Sequence, residues 1–268
     1  MSTKRDTVAV EIIDDDEENI EKDGILEEYI KDKTKPRKTH THVLKTYFRE
    51  DPSIHEIGVD EAGRGPLFGR VYTAAVILPK DNSFDHSKMK DSKKFHSKKK
   101  ILEVAEYIKA NAIAWSVTFE TETVIDEINI LQATQKCMHH SIVETMKQRF
   151  NTVGKQEYQL LIDGNYFKAF TKEKGLDPEP FCSNFRSICI EGGDNTYSAI
   201  AAASILAKVS RDQYIEELCQ ENPELIEKYG IDSNKGYGAK RHIDGIKEHG
   251  ITIWHRRTFG ICSTFGKG

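Results

Sequence analysis

The sequence predicts an α/β protein, a mixed sheet flanked by helices, and three observations carry that prediction. Two short apolar runs, one starting at Ile57 and one spanning Val71 to Leu78, are separated by a short glycine-rich loop, which favours antiparallel pairing. From Tyr158 onward, apolar runs alternate with helical stretches, the order expected of β-α units. Three of the strand ends carry a carboxylate beside glycine: Asp60-Glu61 ahead of Gly63, Asp163 before Gly164, and Asp194 after Gly193. Open α/β sheets keep their ligand sites at the carboxyl edge of the strands, so acids recurring there point to one shared site.

At 268 residues the chain can bury a core of ordinary size. Its net charge of −4 hides a division. Residues 1–30 hold three basic and eleven acidic side chains, including the run Asp14 to Glu18, leaving 36 basic and 32 acidic over 31–268. Residues 31–49 are basic. Such charge blocks predict a solvated, disordered extension over 1–49, acidic then basic, ahead of one domain over 50–268. A basic arm adding phosphate contacts is the alternative reading of 31–49.

Five widely spaced cysteines with no C-x-x-C pair indicate neither a disulfide framework nor a zinc site. No apolar run approaches the ~18 residues of a membrane span. The N-terminus lacks the apolar core of a secretory signal. The expectation is a soluble, intracellular, cytoplasmic protein.

In order along the chain, the run ending at Asp60-Glu61 is a buried strand that breaks into the loop Gly63-Arg64-Gly65-Pro66. Val71–Leu78 is apolar almost throughout, as in a central strand covered on both faces. Residues 88–100 carry seven lysines and one acid, which suits contact with a nucleic-acid backbone. They lead into a helix to about Lys109 with Ser97 as N-cap. A third strand is read over 112–119, then two helices over 121–129 and 130–150. His139 and His140 on the second have no partner at ligand spacing.

Tyr158–Asn165 repeats the opening theme. If this strand lies parallel beside the first, about 4.8 Å away, Asp163 meets Asp60 at one edge. Residues 166–186 read as a loop, 187–190 as a fifth short strand, and 195–220 as a long helix with Asp194 as its N-cap. Its alanines (Ala199, Ala201, Ala202, Ala203, Ala207) would let it lie close to the sheet. A short helix near 224–229, the turn Lys235-Gly236-Tyr237-Gly238, a helix over 239–249 and the basic run His255-Arg256-Arg257 complete the chain.

Hard divalent ions take oxygen ligands and often bind through one or two carboxylates plus substrate phosphate oxygens. Asp60, Glu61, Asp163 and Asp194 would suit two ions about 4 Å apart, one activating a water and one stabilising the leaving oxygen in phosphodiester hydrolysis. Adjacent side chains on a regular strand face opposite ways, so Asp60 and Glu61 share a site only if the chain bends, as Gly63 and Gly65 permit.

These motifs, in this order, resemble type 2 ribonuclease H (ribonuclease HII) in its single-chain form. The matching stretches are IGVDEAGRGPL (57–67), DSKK (91–94), INIL (128–131), LLIDGN (160–165), GGD (192–194), AAASILAKVSRD (201–212), KGYG (235–238) and HRRTFG (255–260). The resemblance implies a ribonuclease H-like fold, a five-stranded mixed sheet flanked by helices with a C-terminal helical extension. It also implies an endonuclease that cuts 5′ to a ribonucleotide in RNA–DNA hybrids or in duplex DNA with embedded ribonucleotides, leaving a 3′-hydroxyl and a 5′-phosphate. By motif position, Asp60, Glu61, Asp163 and Asp194 would hold Mg2+ or Mn2+. Gly63, Arg64 and Gly65 would recognise the 2′-hydroxyl, and Tyr237 would pack on the sugars at the RNA-to-DNA junction. Lys93, Lys94 and Lys208 look like phosphate contacts, with Arg256 and Arg257 as similar cases. The family expectation is a monomer without obligate subunits. Two positions depart from the usual pattern: Gly192 stands where a lysine is common, and Arg70 where a proline is. A non-catalytic nucleic-acid-binding module of the same fold is the competing reading, but its signature, a lost carboxylate, is missing.

Overall fold

The computed structural model describes residues 43–170 and 175–265, so most of the charged extension lies outside the described residues. Strands β1 (Ile54–Ala62) and β2 (Val71–Ile77) pair antiparallel, with Asp60 opposite Ala74. Strand β3 (Ala114–Glu120) extends the sheet antiparallel beyond β2. On the other side β4 (Gln156–Asp163) runs parallel to β1, and β5 (Cys182–Ile190) parallel to β4. The order β3-β2-β1-β4-β5 is the expected five-stranded mixed sheet, and β2 is buried at every residue, as its unbroken apolar run requires.

Helices cover both faces. Helix α1 (Lys98–Asn111) begins at the predicted cap, where Ser97 Oγ accepts from the Lys100 N–H (3.4 Å). Helix α2 (Glu122–Val153) is two helices meeting at Asn129, whose φ of 66° breaks the spiral and whose Oδ1 caps Gln132 N–H (3.1 Å). It packs Met138, Ile142 and Met146 on Ile57, Val59, Leu160 and Ile162. Helix α3 (Ser198–Glu221) lies with α1 against the opposite face, over Ala74 and Val76. The approach is backbone-close: a Cβ on Gly58 would fall 2.1 Å from the Ala199 carbonyl carbon. Ile205 and Leu206 are fully buried there, each worth about 1.5–3 kcal/mol. Helices α4 (Glu224–Tyr229), α5 (Ile231–Asn234) and α6 (Lys240–His249) build a second core around Phe68, from the loop after β1.

Three boundaries differ from the sequence reading. Strand β5 starts at Cys182, inside the stretch read as a loop, because an edge strand exposing Ser183, Asn184 and Arg186 shows no apolar period. Helix α3 starts at Ser198; residues Gly193–Asn195 form a separate 3₁₀ turn, so Asp194 is not its N-cap. Residues Val43 to Arg49 belong with the body: Leu44 is in the core, and Lys45 exchanges backbone hydrogen bonds with Thr196 (2.8 Å) and Ser198 (2.9 Å). No helix among the described residues is long and apolar enough to cross a membrane.

Candidate active site

The site begins where β1 forks away from β4. Parallel pairing between them ends at Val59 opposite Ile162, while β1 stays tied to β2 through Ala62. Asp60, Glu61 and Asp163 therefore stand at the mouth of the fork, on the wall of a cavity of about 470 Å3. No break in β1 is needed to bring the adjacent acids together. Asp60 faces α3 and accepts from the Glu61 N–H (2.7 Å), while Glu61 turns to the Arg64 guanidinium (3.2 Å). Asp163 accepts from the Gly193 N–H (2.7 Å), which ties it to the turn that carries Asp194.

Electrostatics mark the cluster. Burial, then the charges of Glu61 and Asp163, hold the Asp60 carboxyl well above the usual carboxylate range. Burial also raises Glu61, against the opposing pull of Arg64. Asp194 is raised by burial and by Asp163 and Asp91. It does not line the cavity itself. Among the described residues no three His, Cys, Asp or Glu side chains form a cage for an ion by themselves. An all-oxygen donor set that leaves coordination positions to water and substrate fits a hard divalent ion.

Behind the acids runs a polar network that sequence reasoning missed. Asn195 donates from Nδ2 to Asp194 (3.1 Å) and Asp91 (3.3 Å), and its Oδ1 accepts from Lys94. Ser92 pairs with Ser204 (2.9 Å), and Ser204 hydrogen-bonds Asp60. A signal was available: Ser204, Lys208 and Arg211 recur at helical spacing and emerge from the apolar first half of the helix as one polar stripe on the cavity.

Directly after the acids comes the glycine loop, held by two buried guanidinium groups. Arg256, fully buried, donates to the carbonyls of Gly63 (2.6 Å), Arg64 (3.0 Å), Pro66 (2.9 Å) and Gly69 (2.8 Å). Burial draws its pKa down to about 9. Arg211 reaches Phe68 (3.2 Å) and Lys235 (2.9 Å), and a Cβ on Gly63 would meet its Nε at 2.3 Å. Backbone bonds Leu67 N–H to Gly236 (2.9 Å) and Gly69 N–H to Trp254 (2.9 Å) pin the loop to the C-terminal helices.

Placement of the predicted residues is uneven. Gly63, Arg64, Gly65, Lys93, Lys208 and Tyr237 line the cavity with the three acids. Tyr237 is 51% exposed, which rules out a core-packing role, and a Cβ on Gly65 would stand 3.5 Å from its ring. Lys208 is paired with Asp212 (2.8 Å) and Lys94 with Asn195. Arg256 cannot be a surface phosphate contact, because it is fully buried and four of its five N–H groups go to the backbone carbonyls that fix the loop. Arg70 is sandwiched between Phe119 (4.2 Å) and Tyr214 (4.4 Å). Gly192, where the pattern commonly has lysine, adopts φ 62°, a conformation that favours glycine.

Comparison with known proteins bears on the family and the fold. The family model described as Ribonuclease HII matches residues 57–262. A Ribonuclease HII of Cytophaga hutchinsonii is 42% identical over 204 residues, covering 76% of this chain and 88% of the relative. One from Phocaeicola vulgatus is 40% identical over 222 residues, covering 83% and 96%. In fold, the chain is similar to the ribonuclease H2 of Pyrococcus horikoshii (TM-score 0.56, 23% identity, 80% of this chain and 98% of that one). It is also similar to Bst-RNase HIII solved in complex with Mn2+ (TM-score 0.57, 18% identity, 81% and 72%). The chain belongs to the ribonuclease HII family of metal-dependent endonucleases.

Proposed function

We propose that this ribonuclease H cuts the phosphodiester bond 5′ to a ribonucleotide, in RNA–DNA hybrids or in duplex DNA with embedded ribonucleotides, leaving a 3′-hydroxyl and a 5′-phosphate. The observation that carries the reading is one cavity lined together by the acids Asp60, Glu61 and Asp163, the glycine loop and Tyr237. Asp60, Glu61, Asp163 and Asp194 would hold two Mg2+ or Mn2+ ions; a manganese complex of a fold relative supports the ion class. Bound there, such ions supply the positive charge that favours attack of water on phosphorus and departure of the 3′ oxygen.

The chain's own residues do the rest. Gly63 and Gly65 bring backbone within reach of the 2′-hydroxyl, the group that separates RNA from DNA, with Arg64 beside them. Tyr237 offers an exposed ring to the sugars at the junction. Lys93 and Lys208 at the cavity wall and Lys94, bonded to Asn195, answer the phosphates. Every group in the scheme lies on one chain, which supports a monomer, acting in the cytoplasm where DNA is replicated.

A side-by-side assay tests this: a duplex with one ribonucleotide, a long RNA–DNA hybrid and an all-DNA duplex, each with Mg2+ and with Mn2+. Cleavage 5′ to the ribonucleotide, lost in Asp60→Asn, is expected. Cleavage of the all-DNA duplex with the ribonucleotide substrate intact would overturn the reading.

A further inference from the structure

The KGYG turn is tied to the segment that holds the glycine loop by a pair of histidines, one of them the first residue of the HRRTFG stretch, to which the proposed chemistry gives no role. His242 and His255 are 0% and 1% exposed, with their Nε2 atoms 3.1 Å apart. The backbone groups at the two ends settle which nitrogen carries each proton. Thr252 N–H can only donate, and it points at His255 Nδ1 (2.9 Å), so that nitrogen is bare. The His255 proton is then on Nε2 and is donated to His242 Nε2. His242 in turn keeps its proton on Nδ1 and donates it to the Tyr237 carbonyl (2.9 Å). Burial lowers both pKa values, that of His255 to about 3, so both rings are neutral at ordinary pH and this single proton order persists.

The next residue, Arg256, clamps the other wall of the same gap through the carbonyls of Gly63, Arg64, Pro66 and Gly69. Two adjacent side chains thus hold two facing surfaces, the glycine loop through Arg256 and the Tyr237 turn through His255 and His242. Packing reinforces the relay: Phe68, in the glycine loop's own continuation, meets the His255 ring edge-on at 5.0 Å, as does Tyr229 at 5.1 Å.

We propose that His242 and His255 are positioning residues for ribonucleotide discrimination, setting the distance between Tyr237 and the Gly63–Gly65 loop. The inference rests on the reading of Tyr237 as the residue that meets the junction sugar. A ring held by a directed hydrogen bond to its own carbonyl stays at a fixed distance from the loop, and small displacements of a positioning group are costly to turnover.

The test compares kcat and KM on a one-ribonucleotide duplex and on a long RNA–DNA hybrid for wild type, Tyr237→Ala, His242→Phe and His242→Asn, with thermal melts of each. The phenyl ring fills the space without the bond, while the Asn amide can still donate from the Nδ1 position. His242→Phe is expected to lower the ratio of kcat/KM on the junction duplex to that on the hybrid by about tenfold, with His242→Asn restoring most of it. Adding Tyr237→Ala to His242→Phe should lower the ratio no further. If Tyr237→Ala lowers the ratio and a folded His242→Phe does not, the proposal is wrong. If Tyr237→Ala itself leaves the ratio unchanged, the reading of Tyr237 fails instead, and the relay with it. Should His242→Phe not fold, His255→Gln, which keeps a donor toward His242 but loses the Thr252 bond, decides by the same ratio.

Discussion

Asp60 stands in a buried pocket with Glu61 and Asp163 close enough to raise its pKa, an arrangement that stores repulsion where a divalent ion would relieve it. Replacing it with Asn removes one charge from the set. Asp60→Asn should therefore abolish cleavage yet raise the urea midpoint of metal-free protein, a gain of about 0.5–2 kcal/mol in unfolding free energy. A lower midpoint would mean that Asp60 is a structural anchor. Arg256 makes the opposite case, because its buried guanidinium is held by four backbone carbonyls. Arg256→Lys keeps the charge and loses the planar fork, so several carbonyls are left without donors. Loss of about 2–4 kcal/mol in urea denaturation, with a drop of about tenfold or more in kcat/KM, is expected. Full activity in the Lys variant would show that the loop holds its own shape.

At the scale of elements, the short segment 43–49 has more influence than its length suggests. Its backbone flanks the turn of Asp194 through Lys45, its Leu44 is in the core, and Phe48 packs edge-on against Tyr197 at 5.8 Å. The buried Glu56 carboxylate accepts from the N–H groups of Phe48 (2.8 Å) and Arg49 (2.6 Å) while pairing with Lys80 (3.1 Å). A chain starting at Val43 should melt like the full chain. One starting at Glu50 leaves Glu56 with Lys80 alone and opens the Leu44 site, for a loss of about 2–4 kcal/mol. Equal thermal melts of the two truncations would refute the strap. Cleavage assays on the extension should therefore use the cut at Val43, since the shorter chain confuses arm and strap.

For the whole molecule, the histidine pair makes stability depend on pH in a set direction. The folded pKa of His255, about 3, lies below the unfolded value of about 6.5, so the unfolded chain takes up the proton first. The stability it contributes is complete above about pH 6.5 and is lost as pH falls toward 3, by about 2 kcal/mol at pH 5. Urea denaturation of wild type and His255→Phe at pH 7 and pH 5 checks this. The wild type should lose more stability between the two pH values than the variant, and equal losses would contradict it. The C-terminal helices should report the change first, since the pair packs between Phe68 and Tyr229.

The amino-acid order determined the antiparallel start and parallel continuation of the sheet, and it put Asp60, Glu61 and Asp163 near strand ends, because strand periodicity and turn chemistry are local properties that a linear reading detects. It also placed the kink at Asn129 and the cap at Ser97. Only the tertiary structure decided what each acid touches. Asp194 reads as a helix cap in sequence, yet its helix starts at Ser198, leaving Asp194 to Asn195 and the field of Asp163. Arg256 reads as a surface cation and is buried, because a guanidinium declares itself only when carbonyls nearly two hundred residues away close around it. The first half of the edge strand β5, before Ser187, escaped for the converse reason: it has too little buried surface to leave a pattern. Backbone conformation is written locally, whereas burial and hydrogen-bond partnership depend on residues that only folding brings together.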